Sequence, residues 1–391
     1  PVVTFDSGES SSSQLDGFYI TGGSGANFVD PIFGPVPCGG GVFIEFSSPT
    51  ISNCVFEENA AWGGGGIFIT EGSPSITGCH FLGNVAEGHG GGIYAISYAN
   101  PNVSDCVFEG NSANWGAGMT CTVNSDPNIV SCIFAMNTTS NVGGGIFIRS
   151  SSSPVITNCD FLYNNQIFNP LGSGGGVSIY GSGNGGGPCY PTLTGCLFEG
   201  NSVFGDGGGL AASYDAQPKL VECTFRLNLA GRSGGGLACV ADEGHTLPSN
   251  ADVQHCVFES NSCDEEGGGI HCRNSDPTLY DVTVQENHAG IAGGGINFFE
   301  SPAASLSSSV ICSNSPNQLS GIYSDQGNNA ISDECDECDG DADGDGMIGV
   351  TDLLMVIDQW GQSDSPADFN EDGVVNVSDL LIVVGNWGPC E

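Results

Sequence analysis

For most of its length the chain is predicted to be all-β, a parallel β-helix solenoid of about ten turns, followed by a small α-helical module. Three observations predict this. A block of the form C-x-F-x-x-N, a polar link, G-G-G-aliphatic-x-aliphatic and Pro-x-aliphatic recurs along the chain, as in Cys54 to Thr77. Its usual step is about 26 residues, a period that signals stacked repeats. No segment before about residue 350 carries a 3.6-residue apolar period, whereas an acidic twelve-residue loop followed by an apolar run occurs twice after residue 340.

The Cys position falls at Cys54, Cys79, Cys106, Cys132, Cys159, Cys196, Cys223 and Cys256, then slips to Val282 and Ser309. Five residues after each stands an Asn, from Asn59, Asn84 and Asn111 through Asn287 and Asn314. Each repeat holds three short extended runs. After Gly-Gly-Gly the first and third positions are apolar (Ile67 and Ile69, Ile146 and Ile148) while the middle one varies, which is strand alternation with one face buried. A second run buries Ile51, Ile76, Val103 and their successors, and a third buries the Cys and the Phe two residues on. Three strands per turn stacked at roughly 4.8 Å give a rod on the order of 50 Å long.

The repeat resembles the right-handed β-helix repeats of secreted bacterial surface proteins, including the passenger regions of polymorphic outer membrane proteins, over about residues 15 to 323. The resemblance implies a right-handed solenoid outside the cell. It does not choose among adhesins, lyases and structural fibres, because one fold hosts all three.

Residues 1 to 37 read as a first, irregular turn, with a strand at 15 to 23 and a Gly/Pro-rich loop running to Cys38. Insertions at Asn164 to Pro191 and Ala241 to Asn250 are expected to stand out from the rod. The pattern fades after Asn314, so the β-helix is assigned to residues 1–332 and the C-terminal module, with its acidic linker, to 333–391.

Five Lys and Arg against 45 Asp and Glu give a formal charge of −40, which argues against a nucleic-acid partner. No run of 18 apolar residues would span a membrane. Pro1 begins inside an apparent strand, PVVTF, and is expected to start a processed or truncated mature chain. The inward Cys ladder reads as small buried hydrophobes, with oxidation of stacked neighbours as the alternative. Cys121, Cys239 and Cys272 share another inward position, and Cys239 and Cys272 fall on adjacent turns close enough to pair.

Asp341, Asp343, Asp345 and Asp352 occupy positions 1, 3, 5 and 12 of a calcium loop, with Gly346 at the sharp turn. Asp368, Asn370, Asp372 and Asp379 repeat the pattern 27 residues later. Met347 and Val374 would offer backbone carbonyls from position 7, and Asn376 a ligand from position 9, directly or through water. Helices are expected over DLLMVIDQWG and DLLIVVGNWG. Two Ca²⁺ sites are therefore the expected cofactor. This tail, about residues 338 to 390, resembles a type I dockerin, which implies calcium-dependent folding and an extracellular protein partner. Val350-Thr351 and Val377-Ser378 depart from the Ser/Thr pairs usual at the partner-reading positions of such modules. Cys338 and Cys390 bracket the module and would clip its ends together if oxidised.

The five bases are Arg149, Lys219, Arg226, Arg232 and Arg273; with the scattered histidines and Asp264-Glu265-Glu266 they form no catalytic constellation in the sequence. His89 reads as a loop residue. Alternation places Phe43, Phe68, Tyr94 and Phe147 outward, as cross-strand stacking or as an exposed contact face for a sugar, a partner or another subunit. The expected function is a secreted, non-catalytic structural or adhesive surface protein. An open strand edge at one end would pair head-to-tail with another copy and build a calcium-dependent filament. The competing expectation is a polysaccharide-binding or polysaccharide-degrading protein anchored by its tail. A groove with a basic residue facing carboxylates would favour it.

Overall fold

The computed structural model describes residues 1–30, 34–182, 186–241, 247–335, 340–343, 347–363, 365–370 and 372–389. The chain divides into two units, Pro1–Asp333 and Glu334–Glu391.

The first unit is a parallel β-solenoid of about ten turns. Three parallel sheets, each twelve strands deep, begin with β1 (Val3–Phe5), β2 (Gln14–Asp16) and β3 (Tyr19–Thr21), so that an irregular first turn and a partial last one flank the regular repeats. The registers are unbroken: Ile67, Phe68 and Ile69 lie beside Ile93, Tyr94 and Ala95, and Phe81 beside Phe108. The expected three strands per turn are too few. The polar link before Gly-Gly-Gly pairs as a fourth, eleven-stranded sheet through segments such as Ala60–Gly63, Val85–His89 and Ser112–Trp115. The expected loop before Cys38 is instead an antiparallel hairpin of β4 (Ala26–Asp30) and β5 (Gly34–Cys38), which starts that fourth sheet.

Three stacks hold the turns together. The first is aromatic: Phe56, Phe81, Phe108, Phe134, Phe161, Phe198, Phe225 and Phe258 are all fully buried. Neighbouring rings lie nearly parallel, Phe81 and Phe108 at 4.5 Å and Phe198 and Phe225 at 4.4 Å between centroids. The second is the Asn ladder. Asn137 Oδ1 accepts from the backbone N–H and the side-chain amide of Asn111, each at 3.0 Å, while its own Nδ2 donates to the Phe108 carbonyl at 2.9 Å. Gln318 Oε1 closes the ladder by accepting from Asn314 Nδ2 at 2.8 Å. The third is the Cys ladder, in which each buried thiol bonds locally: Cys106 Sγ donates to the Ser104 carbonyl at 3.1 Å. All eight of its cysteines are free thiols, as are Cys239 and Cys272, so the two that stand close enough to pair are not bonded. Burial pushes Cys239 up to about 12, holding it as a neutral thiol.

Gly-Gly-Gly is a steric requirement. Gly64 has φ 63°, in the left-handed region. A Cβ on Gly65 would stand 2.6 Å from the Gly91 carbonyl oxygen of the next turn, and one on Gly66 would stand 2.9 Å from the Phe81 ring.

The second unit contains α1 (Val350–Asp358) and α2 (Val377–Gly385), packed around buried Ile348, Val356, Ala367, Val375 and Val383. Short antiparallel strands, Met347–Ile348 and Gly388–Pro389, tie its two ends. Among the described residues no helix is long and apolar enough to cross a membrane.

Candidate functional sites

The expected aromatic contact face is not exposed. Phe43, Phe68, Tyr94 and Phe147 are 5%, 0%, 2% and 1% accessible. Alternation does put them on the far side of their strands from the main core, but the fourth sheet and the hairpin pack over that side. Phe28 of β4 lies 4.7 Å from the Phe68 ring, and the Tyr94 hydroxyl donates to Asp30 Oδ2 at 3.3 Å. His89, expected in a loop, is buried in the same layer, 5.0 Å from Tyr94 and 4.7 Å from Trp115.

Burial, with Arg149 adding to it, lowers His89 from 6.5 to about 3. Its folded form therefore stays neutral where the unfolded chain takes up a proton. The stability this gives is complete above about 6.5 and is lost as pH falls toward 3, at about 1.4 kcal/mol per pH unit. His89→Phe keeps an aromatic ring in the stack, so its melting temperature should fall less between pH 7 and about pH 4.5 than the parent's. Equal drops in the two proteins would show that His89 does not carry this acid sensitivity.

The two acidic loops sit at the helix N-termini. One carboxylate oxygen from each of Asp341, Asp343 and Asp352 lies within 4.8 Å of the others. Asp352 is buried; its Oδ1 accepts from Ala342 N at 2.8 Å and its Oδ2 from Gly349 N at 2.7 Å, which wraps the loop around it. In the second loop Asp379 is fully buried, accepting from Asn370 N at 3.3 Å and Asn376 N at 2.8 Å. Asp368 Oδ2 accepts from Gly373 N at 2.9 Å, while its Oδ1 is buried with no hydrogen-bond partner. Asp372 Oδ1 accepts from Val374 N at 3.1 Å. Asn376 spends its Oδ1 capping α2 through Ser378 N at 2.8 Å and donates Nδ2 to the Val374 carbonyl at 2.8 Å, so it suits a water-mediated role better than a direct one. Asp345, Cys338 and Cys390 lie outside the described residues. The gathered oxygens, and the unpartnered buried one on Asp368, fit a hard divalent cation. Cys312 and Cys335 are both in disulfide linkage.

The helices carry a second feature. Val350, Leu354, Ile357 and Trp360 are 51–62% exposed, and so are their counterparts 27 residues on, Val377, Leu381, Val384 and Trp387, at 50–62%. The unit thus presents the same apolar stripe twice.

On the later turns of the solenoid a cavity of about 490 Å³ opens beside the first sheet. It is lined by two of the chain's five cations, Arg232 and Arg273, together with Glu265, Glu266, His271 and Phe299 among others. Arg232 reaches Asp206 Oδ2 at 3.3 Å and Glu265 Oε2 at 4.0 Å. The remaining ion-paired bases are engaged elsewhere, Arg226 with Glu199 at 2.6 Å and Lys219 with Asp252 at 3.7 Å. Glu265 and Glu266 of the acidic run 264–266 therefore form part of a cavity wall facing Arg232. Its signal in the sequence is the residue before each Gly-Gly-Gly: Asp206, Ser233 and Glu266 hold that place on successive turns and stack into one wall.

A family model described as right handed beta helix region matches residues 16–185 and 137–292, together more than two-thirds of the chain. The chain belongs to that family of right-handed β-helix proteins. No curated protein and no solved structure matches it.

Proposed function

We propose that this is a secreted, non-catalytic surface protein whose β-helix serves as a structural or adhesive body and whose C-terminal unit folds around two calcium ions to bind a protein partner. The observation that carries this reading is the duplicated apolar stripe from Val350 to Trp360 and Val377 to Trp387, half exposed on a unit otherwise dominated by acids. Exposed apolar patches of this kind mark interaction sites. Partner and calcium are coupled, because each helix that bears the stripe begins at one of the acidic loops. We take the partner to be a second copy of the chain. Among the described residues, β1–β3 and Leu319–Gly321 each pair with a neighbouring strand on one side only, and such edges invite head-to-tail addition.

Electron microscopy and sedimentation of the purified chain in calcium and in EGTA test this. Assemblies should form in calcium, shorten on chelation and fail to form in Leu354→Asp/Leu381→Asp. Monodisperse monomers in both conditions would sink self-assembly.

A second reading, a polysaccharide-binding protein anchored through the same unit, is favoured by the cavity that sets Arg232 and Arg273 against carboxylates.

A further inference from the structure

We propose that the cavity on the later turns is a binding site for a neutral sugar unit of an extracellular polysaccharide; this rests on the polysaccharide reading and gives it a ligand class. The volume of about 490 Å³ lies within the range of small-molecule sites, roughly 300–1,000 Å³. The lining has the two components such a ligand needs. Planar polar groups, the Arg232 guanidinium with the Glu265 and Glu266 carboxylates, can each take a pair of neighbouring hydroxyls. Phe299, 45% exposed at the rim, offers a ring face to the C–H side of a pyranose.

A third observation is independent of these. His271 is 3% accessible and lines the cavity, yet its Nδ1 makes no hydrogen bond. Beside it in register, Asn297 is also 3% accessible, and its side chain is hydrogen-bonded to His271. Buried polar atoms are normally satisfied, and the His271 Nδ1 left without a partner beside a cavity signals a group kept for a ligand or its bridging water. The neutral class follows from charge. Glu265, Glu266 and Glu300 outnumber the two guanidiniums in the lining, and the whole chain carries −40, so an anionic sugar would be repelled.

The experiment is saturation-transfer NMR on the full chain in calcium. The probes are hexasaccharides of neutral glucan, mannan, xylan and galactan, with oligogalacturonate as the acidic comparison. At least one neutral oligosaccharide should bind, and its affinity should fall about tenfold or more in Phe299→Ala and in His271→Ala. Phe299 is half exposed, so its variant should keep the parent's circular dichroism and melting temperature, which separates lost binding from lost folding. Binding of oligogalacturonate alone would overturn the neutral class while leaving the polysaccharide reading standing. Binding of none of the probes would overturn both. A neutral sugar bound equally well by both variants would place its site elsewhere and overturn the cavity assignment.

Discussion

Asn137→Ala should lower the unfolding free energy of the solenoid by about 3–5 kcal/mol, several times the loss from an ordinary surface substitution. The side chain occupies the middle of the Asn ladder and is fully buried. Its removal takes the acceptor from the Asn111 backbone N–H and from one N–H of the Asn111 side-chain amide, whose other bond goes to the Phe81 carbonyl, and it takes the Asn137 Nδ2 donor from both the Phe108 carbonyl and Asn164 Oδ1. Each orphaned buried group costs about 1–3 kcal/mol, and the sum falls short of full additivity because a water can enter the gap. Asn137→Asp should be nearly as costly, since a carboxylate keeps the acceptor and loses the donor to the Phe108 carbonyl and to Asn164 Oδ1. Guanidinium unfolding followed by circular dichroism measures the difference. A loss under about 1 kcal/mol for Asn137→Ala would mean that the ladder is decoration and the Phe stack alone holds the turns. Because each repeat touches only its neighbours, the damage should appear as earlier melting of the middle turns.

The same ladder shows why so much of this fold can be read from sequence. A solenoid repeats one local problem, so a residue needed at one turn recurs at the next: Asn59, Asn84 and Asn111 bond to one another and stand at fixed places in successive blocks. The inward apolar positions, Ile51 and Ile76 among them, follow from period-two alternation and are fully buried. Alternation says which side of a strand faces the core. It does not say whether the other side is covered, and there the reading of Phe68 and Tyr94 fails, because the cover comes from Phe28 and Asp30 on a hairpin forty and more residues away. The fourth sheet is missed for a related reason. Its strands are as short as Ser202–Val203 and Leu229–Ala230 and lack apolar alternation; they pair because the neighbouring turns bring them into register. The acidic loops were legible because metal-ligand spacing is local. The cavity at Arg232 was legible only through the shared place of Asp206, Ser233 and Glu266 before Gly-Gly-Gly, since the rest of its lining is gathered from three successive turns.

Calcium removal has the second large expected effect, and it should be confined to the C-terminal unit. Residues 334–391 contain fifteen Asp and Glu and no Lys or Arg, so no protein cation is available there to offset the clustered carboxylates. Asp352 and Asp379 are buried within the loops that start α1 and α2, where their backbone hydrogen bonds hold the loops closed. Without a cation, Asp341 and Asp343 crowd Asp352 with like charge, and the small core around Val356 and Val383 has little apolar area to resist it. Chelation should therefore melt both helices, seen as lost ellipticity at 222 nm and a red shift of Trp360 and Trp387 fluorescence, while the solenoid's β signal stays. Restoring calcium to a thousandfold excess over its dissociation constant should return about 4 kcal/mol of stability. Sodium chloride at matched ionic strength should recover only part of the structure, because screening reduces repulsion without supplying ligand bonds. Magnesium should fall between the two, since it holds its water and demands an octahedral set that these loops do not offer. Asp368→Ala removes the carboxylate with the unpartnered buried oxygen and should cost the second loop its affinity while sparing the first. Helices that persist unchanged in EGTA would show that capping and the core suffice, and the acidic loops would then have to be explained by solubility alone.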